Sequence, residues 1–207
     1  MKAILSNEKF LRLVNPIANK TLRKCEEILK PAKNYAVAIG PTLDSFVIKK
    51  MDGSTGYTED KQRMAIALST RPKNWRKGLE STLAHEFNHI IRLQYLNKNN
   101  FYNDKLIDSI ASEGLAQVFE EEVTGKRPPY ASAISKKVAK QLWAKIRTYK
   151  EDDYFSRFFV NLSDKKYPHW CGYTIAYLII KRRRKEIGFS WKKLMNMPSK
   201  KLVDAGL

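Results

Sequence analysis

The chain has 207 residues, 43 % apolar and 11 % aromatic, enough for one domain with a hydrophobic core; disordered, collagen-like and disulfide-miniprotein classes are excluded. Its 39 Lys and Arg against 21 Asp and Glu give a formal charge of +18, so electrostatics favours polyanions, acidic proteins or anionic lipid as neighbours. The excess is uneven, with +4 over residues 1–125 and +14 over residues 126–207.

From Glu8 to Lys30 the apolar period is helical, with Pro16 at a plausible first-turn position and Pro31 closing the segment, so two short helices or one kinked helix are expected. Tyr35 to Ile39, Ser45 to Lys50 and Arg63 to Thr70 are short and rich in β-branched or aromatic residues, and Asp52, Gly53 and Gly56 mark a turn. They predict three strands in an antiparallel meander. After Pro72 the helical period returns over Arg76 to Leu96, Asp104 to Val123, Ala131 to Arg147 and Cys171 to Lys185. The fold class is α+β, a small N-terminal antiparallel sheet packed on a mainly helical body. A single domain over 1–207 is expected, with helices at 1–34, the sheet at 35–70, a helical pair at 71–125 and a basic helical part at 126–207.

Cys25 and Cys171 lie far apart, form no C-x-x-C and read as reduced thiols. Met1 to Phe10 has no continuous apolar run of the kind a secretory leader carries. The most apolar stretch, Trp170 to Ile180, is far shorter than the roughly 20 residues a membrane span needs. A cytoplasmic setting is the expectation.

His85-Glu86-Phe87-Asn88-His89 is H-E-x-x-H within a helical segment. At about 100° per residue, positions i and i+4 share one face, so two imidazoles can converge on one ion while Glu86, one step away, holds a water bound to it. Composition alone predicts about 0.002 to 0.003 such matches in a chain of this length, so chance is a poor account. Glu86 also falls within the apolar stripe of Leu79, Thr82, Leu83, Phe87, Ile90 and Gln94, where a carboxylate is costly unless paired. These are the parts of a Zn2+ hydrolytic site.

Catalytic zinc commonly takes three protein ligands. No H-x-x-G-x-x-H continuation follows His89, and the third histidine, His169, is distant, so a carboxylate is favoured. The candidates are Asp104, Asp108, Glu113 and Glu120 to Glu122. Glu113 is preferred because it is centred in the next helix at the edge of its apolar stripe, beside Leu106, Ile110 and Gln117. Gly114 after it permits close helix approach at a propensity cost of about 1 kcal/mol. Glu120 to Glu122 read as an exposed acidic helix end.

The motif with Arg92, then Ser112-Glu113-Gly114-Leu115-Ala116 and Gly172-Tyr173, resembles the YjaZ-like family of predicted zinc-dependent proteases and, more broadly, the gluzincins, the thermolysin-type peptidases. The resemblance spans about residues 64 to 180 and implies a zincin-like fold with the metal between two helices. It implies His85, His89 and Glu113 as zinc ligands, Glu86 as general base, and a Tyr or His from a C-terminal helix as oxyanion donor. Tyr167, His169, Tyr173 and Tyr177 cluster there; Tyr173 is the first choice and His169 the second. Asn88 and Gln117 depart from the related patterns, which leaves the hydrogen bond behind a ligand histidine unassigned. Arg92 either pairs with a carboxylate such as Glu113 or lies on the surface. In such folds the strand before the metal helix, Met64 to Thr70, is expected to accept an extended peptide by strand addition.

Lys136, Lys137, Lys140 and Arg147 lie on one polar helix face, and Lys181 to Lys185 form a run. Solvated faces account for them; attachment to nucleic acid, anionic lipid or an acidic protein is the functional alternative. The expected function is zinc-dependent hydrolysis of a peptide or protein. The rivals are a basic binding protein with a structural or vestigial metal, and a hydrolase of a non-peptide amide.

Overall fold

Residue Asp44 decides the fate of the segment that follows it. Its Oδ1 accepts from the backbone N–H of Phe46 and Val47, capping a helix, α2 (Ser45–Lys50), where β-branched residues predict a strand. Capping satisfies otherwise orphaned donors and here outweighs β-propensity. The structure is a computed structural model describing residues 7–101, 104–160, 166–188, 190–204 and 206–207. The reading of Met1 to Phe10 therefore falls in part, at residues 1–6, outside the described residues.

Helix α1 (Asn7–Ile28) is continuous and carries Pro16 within it, on its exposed side. Val14, Ala18, Thr21 and Cys25 form its buried stripe, spaced three or four residues apart as a helix requires. Three strands follow: β1 (Ala36–Pro41), β2 (Ser54–Asp60) and β3 (Arg63–Leu68). Their order is β1-β3-β2, with β1 parallel to β3 and β2 antiparallel to it. The expected antiparallel meander is thus corrected to a mixed sheet. The middle strand in sequence comes from residues around Gly56, where a turn is predicted, and not from 45–50. Met64, Ile66 and Leu68 of β3 alternate inward onto the helical layer.

Helices α3 (Trp75–Leu96) and α4 (Leu106–Thr124) follow, near their predicted bounds. A 3-10 turn at Pro129–Ser132 precedes the shorter helix α5 (Lys136–Ile146); α6 (Cys171–Ile187), α7 (Trp191–Asn196) and α8 (Ser199–Val203) complete the body. One cluster of buried apolar residues runs from Val14 to Val203. Helix α4 is packed between α3 and α6. Gly114 makes the second contact possible, since a Cβ there would stand 2.4 Å from the Ala176 carbonyl oxygen on α6. Cys25 and Cys171 are free and buried. Among the described residues no helix is long and apolar enough to cross a membrane.

Candidate metal centre

The middle of α3 is buried on every side from Leu83 to Gln94, so its polar residues there must find partners inside the protein. Those partners come mainly from α4, which runs antiparallel beside it. His85 Nε2 lies 3.2 Å from Glu113 Oε2, and His89 Nε2 lies 3.5 Å from Glu113 Oε1. One ligand atom from each of these three residues falls within 4.8 Å of the others. Tetrahedral zinc with bonds of about 2.0–2.1 Å holds neighbouring ligand atoms about 3.3 Å apart, so the two histidine–carboxylate spacings fit a common ion. The donor set, two imidazoles and one carboxylate, is chemically suited to zinc.

Charge in this cluster is strongly coupled. Burial alone would depress the His85 imidazolium, but hydrogen bonds with Glu113 and Glu120, with Glu86 nearby, reverse this and raise its pKa well above 6.5. Burial opposes ionisation of Glu113, yet His89 and His85 hold its carboxyl below the ordinary range, at about 2. The metal-free cluster is thus an imidazolium and a carboxylate sharing the place a divalent cation would take.

Glu86 is 7 % exposed and is held from the sheet side. Thr58 Oγ1 on β2 donates to Glu86 Oε2 at 2.8 Å, and β2 can come this close because residue 56 is glycine. A cavity of about 480 Å³ opens beside Glu86 and His85. Its walls include Ser54, Thr55 and Gly56 of β2 on one side and Tyr130, Trp170 and Tyr173 on another. The expectation that residues 64–70 accept a peptide is corrected here. β3 is paired on both flanks, so it has no free edge, whereas among the described residues β2 is the outer strand of the sheet and lines the cavity.

Tyr173 reaches the same region. Burial and the charges of Glu113 and Glu86 keep its hydroxyl protonated, with a pKa well above 10. His169 packs instead on Trp170, with ring centroids 4.3 Å apart, and edge-on to Phe46, and it is not among the residues that line the cavity. Trp170 has φ +59°, a left-handed conformation that costs a non-glycine residue about 1–3 kcal/mol and that concentrates at functional sites. Tyr167 packs on Phe158, and Tyr177 donates to Glu121.

Two readings from sequence are corrected by long-range contacts. Arg92 neither pairs with Glu113 nor lies on the surface. It is 1 % exposed, and its Nη1 donates to the carbonyls of Leu194 and Met195 in α7. The acidic triplet at the end of α4 is not one exposed patch either. Glu120 is 1 % exposed, and its Oε2 lies 3.1 Å from His85 Nδ1. Glu121 pairs with Lys181, and Glu122 with Arg184 and the Trp191 indole. Arg182 and Arg183 pair with Glu186, so much of the Lys181-to-Lys185 run is engaged within the protein.

Thr58, Ser81 and Tyr130 are therefore the site residues that sequence reasoning missed, and Glu120, weighed there as a ligand candidate, was set aside as part of an exposed helix end. Only Glu120 left a usable signal, since it stands seven residues after Glu113 and so returns to the same face of α4.

A family model described as "Predicted Zn-dependent protease (DUF2268)" matches residues 14–204, a range that contains the whole cluster. No curated protein and no solved structure matches the chain. With nearly its full length covered by that family model, and with a buried His-His-Glu cluster in its centre, this chain belongs to the predicted Zn-dependent protease family DUF2268.

Proposed function

We propose that the protein is a zinc-dependent peptidase in which His85, His89 and Glu113 hold the metal. The observation that carries this reading is the convergence of two Nε2 atoms on one carboxylate, at 3.2 and 3.5 Å, directly beside Glu86 and an open cavity. Zinc bound there supplies Lewis acidity, lowering the pKa of a coordinated water and polarising a carbonyl.

The protein's own groups do the rest. Glu86, aimed by the Thr58 hydroxyl, takes the proton from the attacking water and passes it to the nitrogen of the leaving amine as the C–N bond breaks. Tyr173 stays protonated because burial and two carboxylates oppose its ionisation, so it can donate to the oxyanion that develops on the carbonyl. The peptide lies in the cavity alongside β2, the outer strand of the sheet, whose residues 54–56 line it.

Elemental analysis and a peptide-library assay test this. Glu86→Gln keeps stoichiometric zinc and loses turnover by at least 100-fold. Glu113→Ala loses zinc as well; zinc retained at the wild-type level in Glu113→Ala refutes the ligand assignment. A zinc-loaded protein that cleaves no peptide but hydrolyses small amides moves the substrate class away from peptides.

A further inference from the structure

Glu120 is a buried carboxylate whose position calls for an explanation. At 1 % exposure it has lost nearly all of its hydration, and among the described residues no lysine or arginine pairs with it. Such a group is strongly destabilising unless its charge is met by donors and by a positive neighbour. Three donors surround it. Ser81 Oγ donates to Oε1, Tyr130 OH donates to Oε2 at 2.5 Å, and His85 Nδ1 faces Oε2 at 3.1 Å. Among the described residues the only positive neighbour within reach is the imidazole itself.

The same ring meets Glu113 at its other nitrogen, 3.2 Å from Nε2. Two carboxylates seven residues apart on α4 thus grip His85 from its two ends. The Tyr130 hydroxyl lies 3.4 Å from Nδ1, but its proton is committed to the closer Glu120 oxygen. An acceptor facing Nδ1 requires that nitrogen to carry the proton, which leaves the Nε2 lone pair free to bind a cation. His89 differs, because its Nδ1 is buried with no hydrogen-bond partner among the described residues. Gln117 serves neither histidine: its amide nitrogen donates to the carbonyls of Glu113 and Tyr173, and its Oε1 has no hydrogen-bond partner among the described residues.

We propose that Glu120, braced by Ser81 and Tyr130, is the positioning residue that fixes the tautomer and ring orientation of His85 and so sets the protein's affinity for its metal. The proposal rests on the reading of His85 as a zinc ligand and concerns Glu120 alone. It makes His85 the anchored ligand of the pair and gives Tyr130, whose ring lines the cavity, an indirect hold on the metal.

The test is zinc affinity by chelator competition on the full chain, with Co2+ absorption as a second readout; neither depends on turnover. Glu120→Gln, nearly isosteric, weakens zinc binding 10- to 100-fold and alters the Co2+ spectrum. Glu120→Asp, which keeps the charge but withdraws it, recovers part of the loss. Tyr130→Phe, which removes only the hydroxyl of a ring that lines the cavity, shifts affinity in the same direction by less. In a His85→Ala background Glu120→Gln adds no further loss, because it acts through that ring. Wild-type zinc affinity and Co2+ spectra in both Glu120→Gln and Tyr130→Phe overturn the proposal, as does an equal loss in the His85→Ala background. Failure of the wild type to bind zinc would instead bring down the metal reading itself, and this proposal with it.

Discussion

Gly56 on β2 and Glu86 on α3 touch so closely that a Cβ at position 56 would stand 2.4 Å from Glu86 Cγ and 2.7 Å from Thr82 Cγ2. The glycine is what lets the sheet edge lie against the helix that carries the acidic side chain. Thr58, two residues on, then reaches Glu86 with its hydroxyl. Gly56→Ala is expected to cost about 1–3 kcal/mol by overpacking. It should also lower turnover at least tenfold while zinc content stays at one per chain. Urea denaturation and metal analysis check the two halves separately; unchanged turnover would show that Glu86 tolerates the displacement.

Tyr173 and His169 are two residues of one segment with different surroundings. The phenol is close to Glu113 and Glu86, while the imidazole packs on Trp170 and Phe46 outside the cavity wall. Tyr173→Phe is expected to lower kcat by about 100- to 1000-fold with little change in KM or zinc content, as loss of an oxyanion donor does. His169→Ala should keep kcat within a few-fold. Steady-state kinetics on the same peptide distinguishes them, and a reversed order would transfer the donor role to His169.

The metal-free protein should have an unusual dependence of stability on pH. His85 has a raised folded pKa, so its contribution is fully present below 6.5 and is lost as pH rises through the raised value. Glu113 is held at about 2 against an ordinary 4.5, so its contribution is present above 4.5 and is lost as pH falls towards 2. Chelator-treated protein is therefore expected to be most stable between pH 4.5 and 6.5. Zinc held by His85 as proposed would have to displace its Nε2 proton, so the stabilisation it adds is expected to grow with pH. Thermal unfolding with and without zinc checks this; metal-free stability that keeps climbing through pH 8 would contradict it.

Arg92 fastens α7 to α3 and has no carboxylate within ion-pair distance among the described residues. Burial pulls its guanidinium down to about 10, with only the more distant Asp108 and Asp104 favouring the charge. Arg92→Ala leaves the Leu194 and Met195 carbonyls without their donor and opens a void. A loss of about 2–4 kcal/mol follows. Zinc stoichiometry should not change, because Arg92 is engaged by the α7 carbonyls rather than by Glu113. Loss of zinc in a folded Arg92→Ala protein would reinstate a link to the cluster.

How much of this was legible depends on the range of each interaction. The H-E-x-x-H residues share a face because helical spacing is a local property, and the same reasoning selects Glu113 over its neighbours. Residues 45–50 misled because β-branched composition was weighed without the Asp44 cap, itself a local feature that two hydrogen bonds make decisive. Residues 54–60 misled in the other direction. A strand containing glycine looks like a turn until the helix it must pack against is known.

Spacing along the chain thus accounts for the helices, the basic C-terminal third and the face on which the candidate ligands lie. Packing between distant segments accounts for the rest: the parallel pairing of β1 with β3, the burial of Glu120, and the removal of Arg92 from the site to α7. Residue type states which groups can donate, accept or carry charge. Which of them end up sharing one dehydrated space depends on how the helices dock, and that is where the cost of burying a charge selects its partner.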